Sequence, residues 1–244
     1  KAQGLPLASR SADVTRTSRG TRVPFLNGWS EHVAPNPPDW PRRDVLTSGH
    51  WFLDRPANWT PPPALTAFLE SGPPPVYVGF GSMAGRHPEQ TTRLVVEALQ
   101  QARLRGVLAS GWGGLASVEL PASIYRLDAV PHDWLFPHVA AVVHHGGAGT
   151  TAAGLRAGRP TIVCPFFGDQ PFWGRRVHAL GAGPAPIPQS QLTPARLAAA
   201  LREATETPSI RQQAAVLAAK IRVEDAITKA VAFVEAVAER GVPA

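Results

Sequence analysis

Ala140-Ala141-Val142-Val143-His144-His145-Gly146-Gly147-Ala148-Gly149-Thr150-Thr151 is the stretch on which the reading of this chain turns. An uninterrupted apolar run ends in two histidines and three glycines, and Thr150 to Ala157 then has helical character. A short strand buried on both faces and followed by a helix is one piece of a parallel α/β sheet. In such sheets ligands bind outside the carboxyl ends of the strands. Glycines let a ligand approach the backbone, and the free amides and dipole of a helix start favour an anion such as a diphosphate. Thr150 adds a hydroxyl to that set and His145 an imidazole N–H. Taken alone, the residues also fit a glycine-rich turn whose histidines satisfy local hydrogen bonds.

The same pattern recurs on either side. Val76-Tyr77-Val78-Gly79-Phe80 reads as a buried strand, and Gly81 to Gly85 as a loop. A helix follows, with Pro88 in its first turn and one apolar stripe at Leu94, Val95, Ala98, Leu99 and Ala102. Gly106 to Ser110, Ile124 to Leu127 and Thr161 to Cys164 are further short apolar strands. Strands alternating with helices give an α/β fold, a Rossmann-like parallel sheet with helices on both faces. From Pro194 to about Arg240 the chain reads as helical, with breaks near Pro208 and Val223. Lys1 to about Pro63 is rich in Pro, Arg, Ser and Trp without a sustained period, which reads as an arm or linker.

Composition narrows the function. With 244 residues and 44% hydrophobic content, the chain can bury one substantial core. The 24 basic residues against 18 acidic give a net charge of +6, and lysine occurs only at positions 1, 220 and 229. No block of like charge occurs, so the arginines read as solvated helix faces and nucleic acid is not expected as a partner. The abundance of Ala, Arg, Pro and Gly fits a GC-rich bacterial genome. The one cysteine, Cys164, excludes an internal disulfide, and its apolar setting reads as a buried strand position. No signal-peptide h-region and no membrane-length apolar stretch is seen, so a cytoplasmic location is expected. Met83 is the only methionine, which raises a processed product or a fragment of a longer chain.

Two more loops follow strand ends. In Pro165-Phe166-Phe167-Gly168-Asp169-Gln170-Pro171-Phe172-Trp173, a carboxylate beside an amide suits vicinal hydroxyls, and aromatic flanks suit an apolar sugar face. An Asx turn before a helix is the plainer alternative. In Ala129-Val130-Pro131-His132-Asp133-Trp134-Leu135-Phe136-Pro137, the backbone can meet a base edge, while Trp134, Leu135 and Phe136 read as core. Adjacent residues seldom face each other, so His132-Asp133 is not read as a catalytic dyad. Neither Gly79-Phe80-Gly81 nor Gly147-Ala148-Gly149 continues into G-x-G-x-x-G, which disfavours a dinucleotide-dependent oxidoreductase, and a P-loop sequence is absent. His144 and His145 lack Cys or carboxylate partners at metal-ligand spacing, so no metal is expected.

Val76 to Ser82, Val130 to Pro137, His144 to Gly158 and Pro165 to Arg175 together resemble family 1 glycosyltransferases, nearest the sterol 3-beta-glucosyltransferase branch and its bacterial relatives. The resemblance implies the C-terminal domain of a GT-B glycosyltransferase, which binds a UDP- or dTDP-sugar as donor substrate and uses no other cofactor. By position it assigns His145, Gly147, Ala148, Gly149 and Thr150 to the diphosphate, and Asp169 and Gln170 to the sugar hydroxyls. Val130 falls to the base edge, Ser82 to the phosphates or cleft, and Trp112 to the base or sugar. Plant members carry an aromatic where Ala129 falls and a ribose-binding glutamate where Ala153 falls, so those two contacts do not transfer.

The resemblance also implies an organisation. Residues 1–48 correspond to the tail of a largely missing N-terminal acceptor domain, 49–75 to a linker, 76–220 to the nucleotide-sugar domain and 221–244 to a C-terminal helix. The catalytic base is expected from the missing half, in cis or in trans, so no catalytic residue is assigned in this chain. Its implied partners are a nucleotide sugar, that missing domain and a small hydrophobic hydroxylated acceptor, lipid-, sterol- or polyketide-like, which would bring peripheral membrane contact. A non-catalytic nucleotide-binding module or subunit is the alternative.

Overall fold

The computed structural model describes residues 22–41, 44–81, 88–110 and 118–240. Its secondary elements in chain order are β1 (Phe25–Asn27), β2 (Val45–Thr47), α1 (Pro63–Glu70), β3 (Val76–Gly79), α2 (Pro88–Ala102), β4 (Gly106–Ala109) and β5 (Ile124–Leu127). They continue with α3 (His132–Leu135), β6 (Ala141–His144), α4 (Ala148–Ala157), β7 (Thr161–Val163), α5 (Gln170–Ala179), α6 (Pro194–Glu206), α7 (Pro208–Arg222) and α8 (Ala226–Glu239). Among the described residues, 22–31, 35–51 and 225–240 cluster as one compact unit, and 32–34 with 52–224 as a second. The boundaries read from the sequence at 48, 75 and 220 differ from this division. Residues 52–75 cluster with the second unit, and α8 clusters with the N-terminal residues.

The second unit is built on a five-stranded parallel sheet in the order β5-β4-β3-β6-β7. Both faces are dry, and the strand period of two divides the side chains between them. Val76, Val78, Leu108, Val143 and Ile162 join α2 and α6 through Val95, Leu99, Leu197 and Leu201. Tyr77, Val107, Val142 and Leu127 face the other way, onto Leu65 of α1 and Leu135 and Phe136. These are the expected helices on both faces, and Cys164 lies fully buried beyond β7. Burial pushes its thiol up to about 12, which leaves it un-ionised and inert.

The order of strands places the ligand crevice. From β3 the chain moves outward through β4 to β5, then returns to the opposite side of β3 as β6 and continues to β7. The switch point therefore lies between β3 and β6, where Gly79 pairs with His144 at the carboxyl ends. At that end of β6 the His144 imidazole is completely buried, and its Nδ1 accepts the Gly146 N–H at 2.9 Å. This bond stabilises the reversal from strand to helix, and Gly146 completes it at φ +97. A side chain there would be strained, and its Cβ would stand 2.7 Å from Val163 Cγ1.

Several elements had no clear sequence signal. Lys1 to about Pro63 reads as an arm or linker, yet within it β1 and β2 pair in parallel, Phe25 opposite Val45 through Asn27 opposite Thr47. Strands of three residues are too short to show alternation. The Asn27 amide donates to Thr47 Oγ1 at 3.2 Å, and the Trp51 indole donates to Ser48 Oγ at 2.9 Å. Within the same unit α8 turns Ala230 inward and leaves Ile227, Val231 and Val234 about half exposed.

Within the second unit, α1 starts at Pro63 and buries Leu65 completely. Residues 52–62 are fastened by ion pairs of Asp54 with Arg156 at 2.9 Å and Arg55 with Asp133 at 3.4 Å. Exposed pairs of this kind contribute about 1 kcal/mol or less, against about 1.5–3 kcal/mol for a buried leucine. Burial of Leu65 is the stronger hold. The helical tail matches its reading: Pro208 starts α7 directly after Thr207, and α8 begins after a break at Val223 to Asp225.

The buried histidines predict sensitivity to acid. Burial brings His144 down to about 3, and the neighbouring His145 and His132 push the same way. Burial also lowers His50 to about 4, outweighing its hydrogen bond with the Gly28 backbone. Unfolding returns each to its ordinary value near 6.5, so the unfolded chain binds more protons between the two values. Stability is therefore full above about pH 6.5 and falls as pH drops toward 4. Calorimetric Tm should follow that course in the wild type and show a weaker pH slope in His144→Asn, which keeps an acceptor but does not titrate. Equal slopes in the two proteins would exclude His144 as a source.

Candidate functional site

The crevice at the switch point is bounded by Phe80 and Gly81 after β3, the turn from β6 to α4, and the loop from β7 to α5. His145 follows the buried end of β6 and is half-buried, its ring held between two glycines. A Cβ on Gly81 would lie 3.3 Å from His145 Cε1, and one on Gly147 would lie 2.6 Å from Nε2. The absence of a side chain at 147 is what gives the imidazole its place. Burial lowers the His145 pKa, only partly opposed by the Asp169 carboxylate, so the ring is neutral at physiological pH. Its Nδ1 is buried and makes no hydrogen bond among the described residues.

α4 begins at Gly147, which adopts an extended conformation and has no side chain with which to cap the helix. The first-turn amides at Ala148, Gly149 and Thr150 are therefore without a side-chain cap. Ala148 and Gly149 are exposed, and a Cβ built on Gly149 meets nothing within 4 Å. Thr151, the next residue, has its hydroxyl committed to Gly147 O at 2.9 Å. A neutral imidazole, uncapped amides and the positive end of a helix dipole thus stand together at one strand end.

The β7–α5 loop treats its two polar residues differently. Gln170 is only 6% exposed, and its Oε1 accepts the N–H groups of Phe166 at 2.8 Å and Phe167 at 3.3 Å. Its oxygen stabilises the loop, and its carboxamide nitrogen makes no hydrogen bond among the described residues. Its Cβ lies 3.1 Å from where a Cβ on Gly146 would be, so the two loops pack on each other. Asp169 is exposed, and its Oδ2 accepts the Trp173 indole N–H at 2.8 Å. Of the aromatic flanks, Trp173 is buried, while Phe167 is 64% exposed and Phe172 42%. The indole–carboxylate bond was missed in the sequence, although the four-residue spacing on a helix could have signalled it.

Val130 lies between β5 and α3, half-buried against the second core cluster. Its backbone N–H and C=O make no hydrogen bond among the described residues, so they are available to a base edge. Leu135 and Phe136 are fully buried, and Trp134 packs on Trp59 at 5.3 Å between ring centroids, as read. His132 stacks on Phe136 at 4.3 Å and approaches the Tyr77 hydroxyl at 3.5 Å, while Asp133 takes two hydrogen bonds from Arg55. The two neighbours form no dyad. Ser82 and Trp112 lie outside the described residues. Among the described residues no three His, Cys, Asp or Glu side chains stand close enough to hold a metal, and no helix is long and apolar enough to cross a membrane.

Comparison with known proteins agrees with this architecture. The chain is 48% identical over 214 residues to the sterol 3-beta-glucosyltransferase UGT80A2 of Arabidopsis thaliana, covering 87% of this chain and 33% of that protein. It is 45% identical over 225 residues to the sterol 3-beta-glucosyltransferase of Aspergillus fumigatus, covering 86% and 16%. The chain thus spans a third or less of these relatives. They are plant and fungal and lend no support to the bacterial source read from composition. The solved glycotransferase of kitacinnamycin aligns with a TM-score of 0.71 at 23% identity, covering 88% of this chain and 55% of that one. The calicheamicin glycosyltransferase CalG4 aligns at 0.69 and 19%, covering 91% and 54%. At these identities the likeness shows the fold, that of GT-B glycosyltransferases. The family model for the erythromycin biosynthesis protein CIII-like C-terminal domain matches residues 113–237, more than half of the chain, and the chain belongs to that family of glycosyltransferase C-terminal domains.

Proposed function

We propose that this chain is the donor-binding half of an inverting glycosyltransferase that takes a UDP- or dTDP-sugar and serves a hydroxyl on a sterol-like or other apolar acceptor. The observation that carries the reading is the uncapped start of α4 beside the half-buried His145, at the topological switch point of the sheet. Exposed amides, the helix dipole and an imidazole N–H together form an anion site matched to a diphosphate. The relatives are sterol 3-beta-glucosyltransferases, which supports glucose as the sugar and a sterol as the acceptor.

In the reaction, an acceptor oxygen attacks the anomeric carbon from the face opposite the diphosphate and inverts its configuration. Negative charge grows on the departing diphosphate, and donors already oriented toward it stabilise that charge without reorganising. His145 and the amides from Ala148 to Thr150 take this role, Asp169 accepts hydrogen bonds from sugar hydroxyls, and Val130 pairs with the pyrimidine edge. His144 is fully buried and His132 faces Tyr77 and Phe136. Neither is placed to deprotonate an acceptor, so the base is assigned to the part of the protein outside this chain.

His145→Ala should weaken UDP binding far more than uridine binding. A hydrogen bond to a charged group contributes about 1.5–3 kcal/mol, or about ten- to a hundredfold in affinity. Titration calorimetry with both ligands, repeated with a chelator, checks the phosphate assignment and the independence from divalent metal. Equal losses for the two ligands would make His145 structural, and binding that requires magnesium would remove the helix-terminus explanation.

The 244-residue chain should bind donor yet transfer no sugar, because transfer needs a base and acceptor hydroxyl within reach of the anomeric carbon. Mass spectrometry of reactions with sterol, polyketide and phenolic acceptors tests this. Supplying an N-terminal half from a relative should restore transfer with inversion. Turnover by the purified chain alone would refute the assignment of the base.

A further inference from the structure

α5 is preceded by Asp169, a residue type that ordinarily caps a helix with its side chain, and here it does not. Two local features release it. Asp169 has φ −84 and ψ −10, helical values in place of the extended conformation usual at a cap. Pro171 occupies the second helical position and has no N–H to offer. The backbone carbonyl of Asp169 still receives the N–H groups of Phe172 and Trp173 at 2.9 and 3.2 Å, so the helix start is intact without the carboxylate.

That carboxylate is nevertheless held. Its Oδ2 accepts the Trp173 indole N–H at 2.8 Å, one helical turn along, and Trp173 is only 5% exposed. A buried indole has few rotamers open to it, so its N–H fixes the orientation of an exposed carboxylate that would otherwise rotate freely. The second oxygen, Oδ1, makes no hydrogen bond among the described residues, and His145 of the diphosphate site lies within electrostatic range of the same group. Gln170, the adjacent polar residue, is buried with its oxygen committed to the loop amides.

We propose that Trp173 is a positioning residue for the donor sugar: its indole N–H occupies Oδ2 of Asp169 and orients Oδ1 to accept a sugar hydroxyl. This rests on the reading of Asp169 as a sugar ligand. The indole thereby selects which of two neighbouring polar side chains discriminates the sugar, and Gln170 frames the loop.

The test compares the 244-residue chain with Trp173→Phe, Asp169→Asn and the double variant, titrating UDP and UDP-glucose in parallel. The readout is the affinity for UDP-glucose relative to that for UDP. Trp173→Phe should lower that ratio about tenfold, the effect of losing a hydrogen bond to a charged group, with UDP affinity held within about twofold. Asp169→Asn should lower the ratio similarly, and the double variant should lose little more than either single one. An unchanged ratio in Asp169→Asn overturns the sugar reading and the proposal with it. A loss in Asp169→Asn with none in Trp173→Phe, or losses that multiply in the double variant, overturns the role of Trp173 alone. Equal weakening of UDP and UDP-glucose in Trp173→Phe makes it a purely structural residue. If Trp173→Phe does not fold, the wild-type chain decides: the assigned Trp173 indole N–H resonance should shift with UDP-glucose and stay in place with UDP. An indole resonance that both ligands leave unmoved, or move alike, overturns the proposal.

Discussion

The hydrogen bond from the Gly146 N–H to His144 Nδ1 is the constraint on which the site depends. β6 is buried on both faces, so its last residue must satisfy its polar atoms inside the protein. An imidazole meets that demand by remaining neutral and turning one nitrogen back on the chain two residues ahead. This bond stabilises a reversal that only glycine tolerates at 146, and α4 then starts with its amides toward the crevice. With the amide donating to Nδ1, the imidazole proton resides on Nε2, which is buried and makes no hydrogen bond among the described residues. A buried unsatisfied donor is costly. The fold carries that cost at the point where the chain changes direction.

The sheet was legible because each strand is a short apolar run between glycine or proline signals, and parallel strands buried on both faces have to look like that. α2 showed its stripe and α6 to α8 their breaks. Two kinds of structure were not legible. β1 and β2 contribute only three residues each, and their pairing is between segments separated by a proline-rich loop. α1 carries one fully buried residue, Leu65, and sits in a stretch whose prolines argued for a linker. In both cases the tertiary partner makes the element, and periodicity within the element does not.

At the site, residue types were legible and roles only in part. The association of a histidine with glycines at a strand end was legible, and the slot between Gly81 and Gly147 supplies the steric reason for it. Asp169 and Gln170 were read as a pair of equals because adjacency and polarity are all that sequence displays. Burial separates them. The neutral carboxamide can turn its oxygen onto the loop amides inside the protein, whereas burying a carboxylate without a cationic partner is far more costly, so the aspartate stays outside.

Electrostatics then joins the two loops. A cationic histidine in the empty crevice would attract anions indiscriminately, and burial prevents that by keeping His145 neutral. The positive potential that remains comes from the α4 amides, which are fixed in direction and cannot be titrated away. Asp169 adds negative potential near His145, and its hydrogen bond to Trp173 fixes the orientation of the carboxylate. Negative charge is therefore disfavoured, and hydroxyl donors favoured, on the side of the crevice that Asp169 occupies. Fixed amide dipoles on one loop and an oriented carboxylate on the other thus give the crevice regions of opposite potential, which sort ligands by repulsion as much as by attraction.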